Sequence, residues 1–279
     1  MKKILVPTDF SKQAEYALEA AAQLAKKNND SEIIMLNLLE FPEDMVDPVT
    51  GTATAAGPAA IMMMKNARNK FLAFREKEYL QGLKVTETVL GHKAFEGIME
   101  VSKKQHVDVI VMGSRGTSGV EEIMVGSNTE KVVRTSEIPV LVVKGETDVF
   151  AVKDFVFASS FDEECKETFE NALEFSNKLN ATIHLVTINT PQKFNDTASL
   201  NKKMEDFVAN YEIDDYTLNV YNDFSIAKGI VNFANFINAD LIGMGTHGRK
   251  GISHFFNGSR GEDVVNHATL PVVTFKIKN

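Results

Sequence analysis

The sequence predicts an α/β protein made of two doubly wound domains in tandem, each a five-stranded, mainly parallel sheet flanked by helices. Three observations carry that prediction. Apolar runs alternate with amphipathic segments along the chain, and strands that alternate with helices imply βαβ units. The chain repeats itself: Val107-Asp108-Val109-Ile110-Val111-Met112-Gly113-Ser114-Arg115-Gly116 is matched by Ala239-Asp240-Leu241-Ile242-Gly243-Met244-Gly245-Thr246-His247-Gly248. One offset of about 132 residues aligns these segments, the Gly126-Ser127 and Gly258-Ser259 pairs that follow nine residues later, and the closing Ile138–Val143 and Leu270–Phe275 runs. Finally, 279 residues exceed one average domain and accommodate two modest ones.

Each element has its own warrant. Ile4-Leu5-Val6 is an apolar run that turns polar after Pro7, and Phe155–Phe157 does the same before Ser159, so both open their halves as strands. In the helix that follows, Ala14, Ala17, Leu18, Ala21 and Ala25 have the spacing of one buried stripe. Its counterpart carries Cys165, Phe169, Ala172, Leu173 and Leu179, which places Cys165 in the core as a small hydrophobe. Ile33–Leu39 and Ile183–Ile188 read as strands, Ile61–Leu80 and Leu200–Tyr211 as helices, Val85–Leu90 and Tyr216–Tyr221 as strands, Ala94–Gln105 and Ile226–Asn238 as helices. Each half then holds five strands and about four helices. The expected domains are residues 1–146 and 151–279, with a short linker near Gly145–Phe150. Phe41–Gly57 is irregular, a lid or a disordered crossover, and Met62-Met63-Met64, at the start of an amphipathic helix, suggests a soft binding surface but reads rather as core and domain contact.

Composition excludes several function classes. A net charge of −8 and a pI near 5.4 argue against a dedicated nucleic-acid binder. The single cysteine rules out an intrachain disulfide and any four-thiolate metal site. Pro48–Met64, free of charge but broken by Pro and Gly, does not suit a membrane span, and Ile4–Val6 is too short for the core of a signal peptide. The expectation is a soluble, cytoplasmic protein. The six histidines form no H-x-x-x-H pair, and His247 and His254 are weak as metal ligands.

The repeated glycines carry the chemistry. After a strand ending near Met112 or Met244, Gly-x-x-Gly lets the backbone turn tightly and approach a ligand without Cβ obstruction. Gly-Ser then opens a helix whose free N–H groups and hydroxyl suit an anion. The pair would hold a phosphate chain at the carboxyl end of the sheet, with Arg115 and His247 in reach of phosphate oxygens. Gly243–Gly248 satisfies G-x-G-x-x-G, but its repeat has Val111 at the first position and the motif follows a fourth strand, which argues against a dinucleotide fingerprint. Arg249-Lys250 replaces the Lys-Ser/Thr of a Walker A loop, so P-loop hydrolysis lacks its chemical basis.

With both G-x2-G-x9-G-[S/T] motifs complete and Val6-Pro7-Thr8-Asp9-Phe10-Ser11 opening the chain, the sequence resembles the universal stress protein family in its tandem form. The resemblance covers essentially the whole chain. It implies an adenine nucleotide alpha hydrolase-like, Rossmann-like fold, and ATP or AMP as ligand, with Mg²⁺ possible beside ATP. Transferred residue by residue, it implies a nucleotide site of Pro7, Thr8, Asp9, Leu39, Met112, Gly113, Arg115, Gly116, Gly126, Ser127, Asn128 and Thr129. Asp9 would contact the adenosine part, and main chain around Leu38 and Leu39 would flank the adenine.

A second site would use Gly245, His247, Gly248, Gly258, Ser259 and Arg260. There Ser160 aligns with Asp9, so the adenosine-side carboxylate is missing and weak binding or a structural role is expected. Asp162 reads as an N-cap for the next helix. The resemblance also implies that Val140–Val143 and Val272–Phe275 pair, making an internal pseudo-dimer, and leaves a further homodimer open. The expected role is a regulatory nucleotide-binding protein of the stress response with an unknown protein partner; the alternatives are a slow ATP-hydrolysing enzyme and a nucleotide-free scaffold.

Overall fold

The computed structural model describes residues 1–28, 30–40, 58–114, 126–145, 152–247, 264–265 and 268–277. Phe41–Gly57, residues 146–150 of the expected linker, Arg115, Gly116, Gly248, Arg249, Lys250, His254, Gly258, Ser259 and Arg260 lie outside the described residues.

The first half runs β1 (Lys3–Pro7), α1 (Lys12–Lys27), β2 (Glu32–Leu39), α2 (Pro58–Arg75), β3 (Lys84–Gly91), α3 (Ala94–Lys104), β4 (Val109–Gly113), α4 (Ser127–Thr135) and β5 (Val140–Val143). The second runs β6 (Asp154–Ala158), α5 (Lys166–Leu179), β7 (Thr182–Asn189), α6 (Thr197–Val208), β8 (Tyr216–Asn222), α7 (Ile226–Phe236), β9 (Leu241–His247) and β10 (Val272–Ile277). All ten strands form one sheet in the order β3-β2-β1-β4-β5-β10-β9-β6-β7-β8. Every pairing is parallel except β5 with β10, where Val142, Leu141 and Val140 face Val272, Val273 and Thr274 in antiparallel register. That pairing gives each half's last strand a neighbour and covers two edges that would otherwise be exposed.

Both sheet faces are covered, as a parallel sheet requires. Residues of α1, α2, α5 and α6 pack on one face with Ile4, Val6, Phe155 and Phe157. Residues of α3, α4 and α7 pack on the other with Leu5, Ile110, Val156 and Ile242. Cys165 is buried on the first face, as its spacing predicts. α1 begins because the Ser11 hydroxyl accepts the Ala14 N–H at 3.3 Å.

The repeat is visible in backbone geometry. Six described non-glycine residues have positive φ, and they fall into three equivalent pairs: Phe10 with Phe161, Asp30 with Asn180, His106 with Asn238. The Asp108 carboxylate accepts the Lys2 and Lys3 N–H groups at 2.5 and 2.8 Å, and Asp240 accepts those of Lys153 and Asp154 at 2.8 and 3.0 Å. In each half one carboxylate before the fourth strand thus fixes the start of the first.

Met62 and Met63, expected as core and domain contact, are exposed on α2 instead. Several boundaries move. The expected Ile61–Leu80 helix is α2 followed by a separate 3₁₀ turn, Glu78–Leu80, because Lys77 is extended between them. Leu80 is still buried, so apolar spacing continued past the helix. α6 starts earlier than Leu200, at Thr197, where Asp196 accepts the Ser199 N–H, and it ends before Tyr211. Tyr211 instead packs its ring 4.9 Å from Phe169.

Candidate nucleotide site

In an open α/β sheet a ligand site forms where the strand order reverses, beyond the carboxyl ends of the strands. In the first half β1 continues to β2 and β3 on one side and leaves β4 and β5 on the other, so the crevice lies between the ends of β1 and β4.

The β1 end is shaped by a chain of local hydrogen bonds. The Thr8 hydroxyl accepts the Phe10 N–H at 3.0 Å, the Asp9 carboxylate accepts the Ser11 N–H at 2.9 Å, and Ser11 caps α1. Asn37, buried on β2, donates to the Thr8 carbonyl at 2.7 Å. Phe10, at φ 64°, turns its ring against Phe71 and Phe74, with centroids 4.9 and 5.5 Å away. That contact fixes the backbone that presents Asp9.

The β4 end is a close approach. A Cβ at Gly113 would come within 2.3 Å of the Gln13 carbonyl oxygen, so only glycine fits where the start of α1 abuts the turn. Gly126 is the cap of α4, and the Thr129 hydroxyl donates to the Gly113 carbonyl at 3.3 Å, tying helix to turn. The first N–H groups of α4 have no partner within the helix and carry the positive end of its dipole.

Between these ends lies a cavity of about 510 Å³, within the range of small-molecule sites. Pro7, Thr8, Asp9, Met112, Gly113, Gly126, Ser127, Asn128 and Thr129 line it, brought together from separate parts of the chain. Leu39 is not among the lining residues; its carbonyl accepts the His92 N–H at 3.1 Å. Leu36 and Leu38 face the cavity instead, because alternate strand residues share a face.

Sequence reasoning passed over Ser11, Gln13, Leu36, Ala94, Ile98 and Ser114 on this wall. Ala94 and Ile98, four apart on α3, are one helix turn, and that spacing was the available signal. Ser114 gave none: its hydroxyl is buried and hydrogen-bonds to none of the described groups.

The second half repeats the frame with other side chains. The Ser159 hydroxyl accepts the Phe161 N–H at 3.1 Å, as Thr8 does for Phe10, so Ser160 stands where Asp9 does. Its hydroxyl lies 3.4 Å from Cys165 Sγ. Asp162 does not cap the next helix with its side chain. The Lys203 ammonium, arriving from α6, takes that carboxylate at 2.6 Å, a long-range partner no local pattern announces. Burial pushes the Asp162 carboxyl up, but hydrogen bonds from Lys203 and Ser160 and the charge of Lys203 outweigh it and hold the group below the usual range. Gly245 and His247 lie within β9.

The description of the universal stress protein family matches residues 1–144 and again 152–276. The chain belongs to the universal stress protein family. A universal stress protein from Synechocystis sp. is 22% identical over 295 residues that cover 99% of this chain and 100% of that one. A family member from Methanocaldococcus jannaschii is 32% identical over 154 residues, 51% of this chain and 94% of its own length. The crystal structure of a universal stress protein from Archaeoglobus fulgidus has the same fold, with a TM-score of 0.78 at 22% identity and 99% of each chain covered. No helix of this tandem universal stress protein is long and apolar enough to cross a membrane among the described residues.

Proposed function

We propose that this universal stress protein binds one adenine nucleotide, ATP or AMP, in the first half and acts in the stress response as a regulatory binding protein. The observation that carries this reading is the single cavity that joins Asp9 and an apolar slot to a helix N-terminus. Leu36, Leu38, Ala94 and Ile98 offer a flat base an apolar bed, Asp9 offers a ribose hydroxyl an acceptor, and the start of α4 offers phosphates unpaired N–H donors. Arg115 and Gly116 belong to the same sequence motif and lie outside the described residues.

A binding role is preferred to catalysis because Asp9 is the sole ionisable side chain among the described lining residues, and general acid–base work needs a group beside the reacting phosphate. Any Mg²⁺ would be held chiefly by the phosphates, since among the described residues no three His, Cys, Asp or Glu side chains gather. Working in the cytoplasm, such a protein would report nucleotide level through a protein partner, as one chain or as a homodimer.

Native mass spectrometry with ATP tests the reading on wild type and on Asp9→Ala. One ATP per chain is expected, weakened about tenfold or more by loss of an acceptor worth roughly 1–3 kcal/mol. No bound nucleotide on the wild type would favour a scaffold. Phosphate release that tracks protein concentration and disappears in Gly116→Val would favour an enzyme.

A further inference from the structure

The crevice beyond the carboxyl ends of β6 and β7 differs from the first-half cavity in charge. It encloses about 200 Å³. Asp9 is the sole ionisable side chain among the described residues that line the first cavity. Among those that line the second, Lys193 and Lys203 stand against one carboxylate, Asp162. The excess is cationic.

Helix spacing explains how both kinds of group reach one space. Leu200 and Lys203, three apart, share a face of α6, and Ile226 and Ile230, four apart, share a face of α7. Val186 and Ile230 are buried, while the Lys203 side chain is 42% exposed. The cavity is therefore apolar inside and cationic toward solvent. Lys203 holds the Asp162 carboxylate at 2.6 Å, which uses one of its three donors.

The outer wall is built in advance. Asn189, the buried last residue of β7, accepts the Asn195 N–H at 3.1 Å. It donates to the Asn195 carbonyl at 3.1 Å and to the Asn222 side-chain oxygen at 2.9 Å. The segment that carries Lys193 is thereby tied to the ends of β7 and β8, a satisfied polar network that fixes one conformation. The equivalent last residue of β2 is Leu39, whose side chain offers no such bonds. Phe194, between the lining residues Lys193 and Asn195, is 72% exposed, and Phe224, two residues before the lining Ile226, is 85% exposed. Two rings thus stand in solvent beside the cavity.

We infer that this cavity binds a small carboxylate with an apolar body, its head on Lys193 and Lys203 and its body on Leu200, Ile226 and Ile230. A nucleoside suits the space less well. Ser160 stands where Asp9 would accept from a ribose, Ile226 opens α7 where the smaller Ala94 opens α3, and 200 Å³ falls below the roughly 300–1,000 Å³ of larger ligand sites. The site is independent of the nucleotide site proposed for the first half.

Isothermal titration calorimetry with hexanoate tests it, with hexanamide as the uncharged control. One hexanoate per chain is expected, with hexanamide bound about tenfold or more weakly. Lys193→Gln and Lys203→Gln are each expected to weaken hexanoate about tenfold. Lys202→Gln, next along α6 but paired with Asp206, is expected to leave it unchanged. Thermal melting confirms that the three variants fold. Saturating ATP is expected to leave hexanoate binding intact. No hexanoate binding, equal binding of the two probes, or unchanged affinity in both lining-lysine variants would overturn the inference. So would an equal loss in Lys202→Gln, the mark of unspecific charge, and so would displacement by ATP, which would make the cavity a nucleotide site. A chain that binds hexanoate and no ATP would sink the reading of the first half and leave this one standing, so the two failures are distinguishable.

Discussion

Lys144 and Lys276, equivalent residues just after the core of each last strand, meet different surroundings. Lys276 donates to the Thr135 carbonyl at 3.1 Å, at the end of α4, where a cation also suits the helix dipole. The Lys144 ammonium is buried and hydrogen-bonds to none of the described groups, and desolvation lowers it from 10.5 to about 8. The sign follows from proton binding. Between pH 8 and 10.5 the unfolded chain holds a proton at Lys144 that the folded chain has lost, so this group's contribution to stability rises with pH across that window. Below pH 8 the folded state carries the full cost of the buried charge. Lys144→Met keeps the stem and removes the charge; it is expected to raise stability at pH 7 by about 1–2 kcal/mol and to flatten the rise. Urea unfolding at pH 7 and 9.5 measures both, and an unchanged pH slope would refute the assignment. The residue scale is also where local pattern misled: Asp162 has the position of an N-cap, but Lys203 lies 41 residues away in sequence and takes its carboxylate.

Among the elements, α3 and α7 are equivalent but start differently. The Ser225 hydroxyl accepts the Lys228 N–H at 3.3 Å at the start of α7, whereas Lys93 begins α3 with no side-chain cap. Ser225→Ala is expected to cost about 1 kcal/mol, and Lys93→Ser to gain a similar or smaller amount. Chemical denaturation of the two variants checks both, and equal shifts of one sign would contradict the capping account. Helix and strand existence was legible because apolar spacing reports which face is buried. Ends were less legible, since Leu80 and Tyr211 are held by tertiary contacts after their helices have stopped. β10 shows the same limit: its apolar run fixed a strand at Val272–Phe275, and pairing with β9 carried it to Ile277.

For the whole molecule, the antiparallel β5–β10 join makes one sheet and shared cores. Leu141 and Val143 belong to the same buried cluster as Val273 and Phe275. Phe275 is 1% exposed, with its ring 6.2 Å from Phe157 and 5.8 Å from Phe175. Phe275→Ala is expected to destabilise by about 3–5 kcal/mol and to lower a single calorimetric transition rather than split off a second-half peak. Two resolved transitions in the wild type would show that the shared sheet does not couple the halves. The lysine at the end of α1 adds to the join: Lys27 donates to the Leu179 and Val152 carbonyls at 3.3 and 3.5 Å.

The sequence by itself determined the α/β class, the twofold repeat and the family. Apolar period and an ungapped offset are local properties, and the glycine turn is encoded where it is used. It also supplied most of the described residues that line the first-half cavity, because Asp9, Gly113 and Gly126 each sit at the end of an element readable on its own. Only the tertiary structure decided which wall completes that cavity, through Ala94 and Ile98 on α3, and how the second half differs. Two copies of one motif looked alike along the chain. The difference lies in where β10 stops and what surrounds Gly245, and contacts between residues far apart in sequence settle both.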